Sequence, residues 1–279
     1  MSCQAVTKVG NRCTRNKKFG DFCAQHSKQL RDDDVAESIT ITFCERAENH
    51  VGMEMLGEIA EEGFHIAELE EAKKAFEALG KTCELIDLNQ AVDGDGEAAS
   101  ILIVRNFAEN ANELFNELKG LNWDKKALMY GRVVNKKARH NLCFTDFEQE
   151  PDYSRGKGRV INFENVPKLD AIRKELPVFF GEKAAYLFAE GNHYYDLAKT
   201  YIGFHGDAER KLVIALRLGN SMPLYYQWYF KSEPIGELVE IVLNSGDLYV
   251  MSEKATGNDW KKKNRMTLRH GAGNLLLLK

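Results

Sequence analysis

From Ala184 onward the sequence runs as AYLFAE, KTYIGF, KLVIALRLG, PLYYQWYF, ELVEIVL, DLYVMS, RMTLRH and NLLLLK, with turn residues between the runs. β-branched and aromatic residues dominate these segments, which is the signature of strands. Eight short strands joined by turns cannot bury their apolar sides in one flat sheet. They must face one another, and the jelly roll is the architecture that fits this spacing.

One of these strands ends in chemistry. In YIGFHGDAERK, His205 and Asp207 are two residues apart at the end of an apolar run. Side chains at i and i+2 of an extended segment point the same way, so an imidazole and a carboxylate can reach one point. His270 ends a second such run, RMTLRH, followed by glycines. Two His and one carboxylate on one face of a metal leave the opposite positions open, as in the non-haem Fe(II) oxygenases. A bare His-x-Asp is more often a solvated turn, and the surroundings decide the reading. Asn192-His193-Tyr194 lies upstream, Leu218-Gly219 just downstream, and Ser245-Gly246-Asp247-Leu248-Tyr249-Val250-Met251 precedes Trp260 and His270.

That order resembles the AlkB-like branch of the 2-oxoglutarate/Fe(II) dioxygenases over residues 101–279, most densely from Asn192 onward. The resemblance implies a double-stranded β-helix (jelly roll) catalytic domain at 100–279, with Fe(II) held by His205, Asp207 and His270. It also implies that Asn192 and Tyr194 bind the co-substrate 2-oxoglutarate, which is oxidatively decarboxylated to succinate and CO2. The far carboxylate of that co-substrate needs a cation, ideally a guanidinium. AlkB-like proteins supply an Arg on the strand after the second His, and here the sequence departs from them. It offers Lys279, or Arg217 within VIALRLG, where Val213, Ala215 and Arg217 share one face. Arg217 is the favoured choice.

The rest of the chain reads as α+β. Net charge is −4, but residues 1–30 carry six Lys/Arg and one Asp, residues 31–100 five Lys/Arg and 19 Asp/Glu, and residues 101–279 27 Lys/Arg and 22 Asp/Glu. Both ends are therefore basic around an acidic middle, a distribution compatible with nucleic acid. Residues 1–30 form a zinc-knuckle-like segment, with Cys3, Cys13, Cys23 and His26 spaced C-x9-C-x9-C-x2-H. Thiolate and imidazole suit tetrahedral Zn(II), and four ligands make a structural site. The competing reading is a basic tail with incidental cysteines. No apolar run has spanning length and the start lacks a signal-peptide core, so the expectation is an intracellular, soluble protein without a membrane partner.

Residues 38–95 are expected to form a small acidic β-α-β domain with a right-handed crossover: strand Ile39–Phe43, helices over 49–60 and 67–79, and strand Cys83–Leu88. Its acidic surface is most simply a solvated one; the alternative is a docking face for a basic protein partner. Then come a strand at Ile101–Val104, a helix at 110–121, and a helix at 167–180 entered through Pro167. Segments 130–144 and 153–163 are basic and aromatic; the resemblance implies loops over substrate, and a solvated basic face is the alternative.

The expected function is oxidation of a methylated base in DNA or RNA, by oxidative demethylation or hydroxylation. The alternative is a dioxygenase hydroxylating a protein or small molecule, with the knuckle as a protein-binding module. A third class is a metal-free jelly-roll binding protein. For the knuckle the test is direct. A fragment of residues 1–30 should bind one equivalent of zinc at neutral pH, and finding none by metal analysis would remove that site.

Overall fold

The computed structural model describes residues 13–15, 35–94 and 96–278. Residues 37–279 form one compact unit and residues 1–36 another. Cys3, Cys23, His26 and Lys279 lie outside the described residues; Cys13 is described and is buried.

The large unit is α+β and mostly antiparallel. Its main sheet has eight strands in the order β4 (Cys83–Asp87), β5 (Ser100–Val104), β15 (Leu248–Met251), β12 (Val213–Gly219), β1 (Ser38–Cys44), β10 (Phe188–Tyr194), β8 (His140–Thr145) and β9 (Val160–Asn162). A second sheet has four strands in the order β11 (Ile202–His205), β16 (Thr267–Ala272), β13 (Met222–Phe230) and β14 (Glu233–Leu243). Two ribbons complete the β structure: β2 (Arg46–Glu48) with β3 (Met55–Gly57), and β6 (Lys126–Met129) with β7 (Arg132–Asn135). The sheets close no barrel.

Three helices cover one face of the main sheet. In α1 (Ile66–Ala78) Leu69, Ala72 and Phe76 are buried; in α2 (Ala111–Lys119), Ala111, Leu114 and Leu118; in α3 (Pro167–Phe180), Leu169, Ile172, Leu176 and Phe180. These three- and four-residue spacings make one apolar stripe per helix. The stripes pack on Ile39, Ile41 and Phe43 of β1 and Ile214, Leu216 and Leu218 of β12. The opposite side of the main sheet faces the small sheet across a second core, in which Val213, Ala215, Tyr249 and Met251 meet Leu224, Tyr226, Trp228 and Leu268. No helix among the described residues is long and apolar enough to cross a membrane.

Four expectations are corrected. Residues 38–95 are not a separate domain, because β1 pairs antiparallel with both β10 and β12 in the middle of the main sheet. Nor do β1 and β4 make a β-α-β pair: three strands lie between them, and β4 pairs antiparallel with β5. The helix expected over 49–60 is the ribbon β2–β3, whose Gly52 and Gly57 sit at φ +86° and +93°, outside helical space. Finally, NLLLLK is not a strand. Leu275–Leu278 form a short helix. Both neighbours of the slot between β10 and β12 are already paired to β1, and an all-Leu run released from a ladder has high helix propensity.

β1 is thus part of the core that the C-terminal strands need. A fragment of residues 100–279 should fail to fold, whereas one starting at residue 37 should unfold cooperatively in urea. Ile41→Ala should cost about 2–5 kcal/mol, as for a fully buried large-to-small change. A cooperative transition from the 100–279 fragment would exclude this dependence.

Candidate metal centre and its cavity

The three residues singled out by spacing come together. His205 ends β11, Asp207 follows in the next loop, and His270 lies on β16, directly opposite His205 in the ladder. His205 Nε2 is 3.4 Å and His270 Nε2 is 3.8 Å from Asp207 Oδ1. One ligand atom from each residue falls within 4.8 Å of the others. Adjacent donors on one ion lie roughly 3 Å apart for bonds of about 2.1 Å, so a small closure lets these three share a metal.

Local structure explains why they meet. A side chain at Gly206 would place its Cβ 2.1 Å from the Gly257 carbonyl oxygen, so only glycine lets the His205–Asp207 turn approach that loop. The Asp207 N–H donates to the Thr256 carbonyl (2.9 Å) and fixes the turn. His205 Nδ1 lies 2.8 Å from the Gly203 carbonyl oxygen. That nitrogen therefore carries the proton and leaves the Nε2 lone pair free, the usual orientation of a metal-bound imidazole.

The protonation states also suit ligands. Burial, with His205 beside it, pushes His270 down to about 3, so its ring is neutral at physiological pH. Burial alone would raise the Asp207 carboxyl, but Arg210, helped by His270 and His205, holds it well below the usual carboxylate range. Metal binding needs these deprotonated forms. Arg210 itself is buried and bridges Glu190 (2.5 Å) and Glu209 (2.9 Å).

The triad borders a cavity of about 360 Å³ between the two sheets. Asn192, Tyr194 and Arg217 line it, as their alternation in β10 and β12 requires. Asn192 Oδ1 accepts from Arg139 Nε (2.6 Å) and Asn141 Nδ2 (2.7 Å). Arg217 is 1% exposed. Its Nη1 is 3.5 Å from Ser38 Oγ, no carboxylate pairs with it among the described residues, and its Nε has no partner. Thr40, its register partner on β1, also lines the cavity with an unpartnered hydroxyl. One residue of the family-like order falls elsewhere. Asp247 is a structural residue whose carboxylate accepts from Arg105 Nη1 (2.7 Å) and the backbone of Asn106 and Asn244.

Sequence reasoning missed Thr40, Thr42, Glu48, Glu190, Glu209, Arg210 and Tyr249, all cavity-lining. A hint for two of them was present: threonines alternating with Ile39 and Ile41 mark a strand with one polar face. Glu48 carried no such signal, because the ribbon that brings it over the cavity was read as a helix.

The chain is 49% identical over 247 residues to "Uncharacterized protein R156" of Acanthamoeba polyphaga mimivirus, covering 86% of this chain and 97% of that protein. The chain belongs to that protein's family. No family model matches it. The relative's name specifies no activity, so the residues themselves carry the functional argument.

Glu48 gives a measurable consequence. Burial, with Glu209 and Glu190 nearby, pushes its carboxyl up from 4.5 to about 7, against a hydrogen bond from the Gly52 N–H. The folded state thus holds this proton more tightly than the unfolded chain does. Its contribution to stability is intact below about pH 4.5 and is lost as pH rises to about 7. Over that window the metal-free protein should lose stability relative to Glu48→Gln. Parallel Tm–pH curves for the two proteins would exclude this.

Proposed function

We propose that the chain is a 2-oxoglutarate- and Fe(II)-dependent dioxygenase of AlkB-like type, acting on a methylated base in DNA or RNA. The observation that carries this reading is the convergence of His205, Asp207 and His270 on a cavity that also contains the buried, carboxylate-free guanidinium of Arg217. A buried guanidinium without a counter-ion is costly, and an acidic co-substrate would relieve it. Iron bound by the three side chains supplies the redox chemistry that couples 2-oxoglutarate decarboxylation to substrate oxidation.

The chain's own residues divide the remaining work. Arg217, with Thr40 and Ser38 beside it, holds the far carboxylate of the co-substrate. Tyr194 and Asn192 shape the cavity wall along which it lies, and Arg139 keeps Asn192 oriented. Arg210 holds Asp207 ionised and its loop in place. His205, whose side chain is 27% exposed, marks the side from which substrate approaches.

The finer architecture belongs to the same proposal. Strands β10, β12 and β15 lie in the main sheet and β11, β13, β14 and β16 in the small one, with β13 and β14 forming a hairpin; this division is that of a jelly roll in which β1 takes the place of an eighth strand. In AlkB-like proteins the strand after the second His supplies the arginine. Here the N-terminal strand would stand in that place and presents threonines, which supports moving the cation to Arg217. Nucleic acid as substrate rests on the basic residues at the cavity, including Arg139 and Lys261. Zinc in the N-terminal knuckle remains part of the proposal.

Succinate formation from 2-oxoglutarate tests the reading. His205→Ala and Asp207→Ala should abolish it while leaving the fold intact. Arg217→Ala should raise the 2-oxoglutarate KM by roughly two to four orders of magnitude, corresponding to about 3–5 kcal/mol for a broken buried ion pair, with little change in iron binding. If Lys279→Ala alone is impaired, the cation is Lys279. Full activity in either triad variant would remove the iron assignment.

A further inference from the structure

The ribbon β6–β7 carries an aromatic residue at a position that disfavours one. Met129 and Arg132 pair across a two-residue turn made by Tyr130 and Gly131, with φ of +49° and +73°. Both residues are therefore left-handed, the geometry of tight hairpin turns in which Asn, Asp or Gly leads. Tyrosine pays for that conformation with steric strain. Among the described residues it gains nothing for this: Tyr130 is 99% exposed, and its side chain has no hydrogen bond or ring contact there.

The charges around it have one sign. Lys125, Lys126, Arg132 and Lys137 are exposed, and none is paired with a carboxylate among the described residues. The acid at the root of the ribbon, Asp124, is buried and already accepts from Asn49 Nδ2 (2.9 Å), Tyr153 Oη (2.6 Å) and the Arg159 N–H (2.6 Å). Lys136 Nζ donates to Asn49 Oδ1 (2.7 Å), and with these bonds the root is rigid. Just beyond the root, Arg139 lines the cavity. At about 3.3 Å per residue, Tyr130 stands roughly 17 Å along the strand from Asn135. The ribbon is a stiff cationic finger with an aromatic tip, rooted at the site.

We propose that Tyr130 is a stacking wedge that enters the base stack of a nucleic-acid duplex, with the flanking Lys and Arg side chains on the phosphates. This takes from the proposed function only its nucleic-acid partner. Aromatic side chains stack on any base, and proteins that extrude a base pay for unstacking with inserted side chains. A membrane-inserting tip fits less well. Met129 and Val133 are also exposed, at 36% and 46%, but Arg132 lies between Tyr130 and Val133 in the chain, and the exposed Lys125, Lys126 and Lys137 share the ribbon, so the apolar tip is narrow and interrupted by charge.

The test is binding of the full chain, without iron or 2-oxoglutarate, to a duplex containing 2-aminopurine, whose fluorescence rises when its neighbour unstacks. Wild type should bind and brighten the probe. Tyr130→Ala should weaken binding roughly 5- to 100-fold, the range for a lost stacking contact, and Tyr130→Phe should retain it. Tyr130→Asn should weaken binding while raising Tm, because asparagine suits the turn; a merely structural tyrosine would lower it. The wedge is overturned if wild type does not bind the duplex, if Tyr130→Ala binds as wild type does, if Tyr130→Asn lowers Tm, or if anionic phospholipid vesicles bind with the same dependence on Tyr130. Succinate formation without Tyr130-dependent binding would remove the wedge and leave the proposed chemistry. Tyr130-dependent binding without succinate formation would do the reverse.

Discussion

The ladder on both sides of β1 is the constraint on which the site depends. β1 bonds to β10 through Ser38–Cys44 and to β12 through Ser38–Phe43. Its alternation serves two layers at once: Ile39, Ile41 and Phe43 enter the helical core, while Thr40 and Thr42 face the cavity. Thr40 is the register partner of both Asn192 and Arg217. Without β1 the strands carrying those residues would be separated by two strand spacings, about 9.6 Å, with two open edges between them. A segment far from the His-x-Asp in sequence therefore fixes the floor on which that site stands.

The cavity is divided electrically. On the triad side Asp207, Glu190, Glu209 and Glu48 gather around a single buried guanidinium, Arg210. Acids so arranged repel one another, which is why burial and neighbouring carboxylates raise Glu48 and Glu209 while Arg210 holds Asp207 down. A divalent cation would offset that excess. Arg217 presents the opposite charge with no internal counter-ion. Under the proposed reading the two imbalances are complementary: the metal satisfies one and a dicarboxylate the other. Buried ionic groups rarely add stability in themselves, so residues held this way are candidates for ligand contacts.

The sequence by itself determined the local elements and singled out the three residues that converge as candidate metal ligands. Three- and four-residue apolar spacing placed helices at Ile66–Ala78, Ala111–Lys119 and Pro167–Phe180 within a residue or two, because each stripe is a property of the segment alone. Seven of the eight β-prone runs after Ala184 contribute strands. His205, Asp207 and His270 could be singled out because they sit at strand ends within a recognisable order, and Arg217 because alternation put it on one face with Val213 and Ala215. Partner choice was decided by tertiary structure. Nothing within ITITF says that it lies between β10 and β12. Strand pairing is settled by which edges are open and which apolar faces need covering. The same competition turned NLLLLK into a helix and the segment after Glu48 into a ribbon, and so brought Thr40 and Glu48 into a cavity formed by residues distant in the chain.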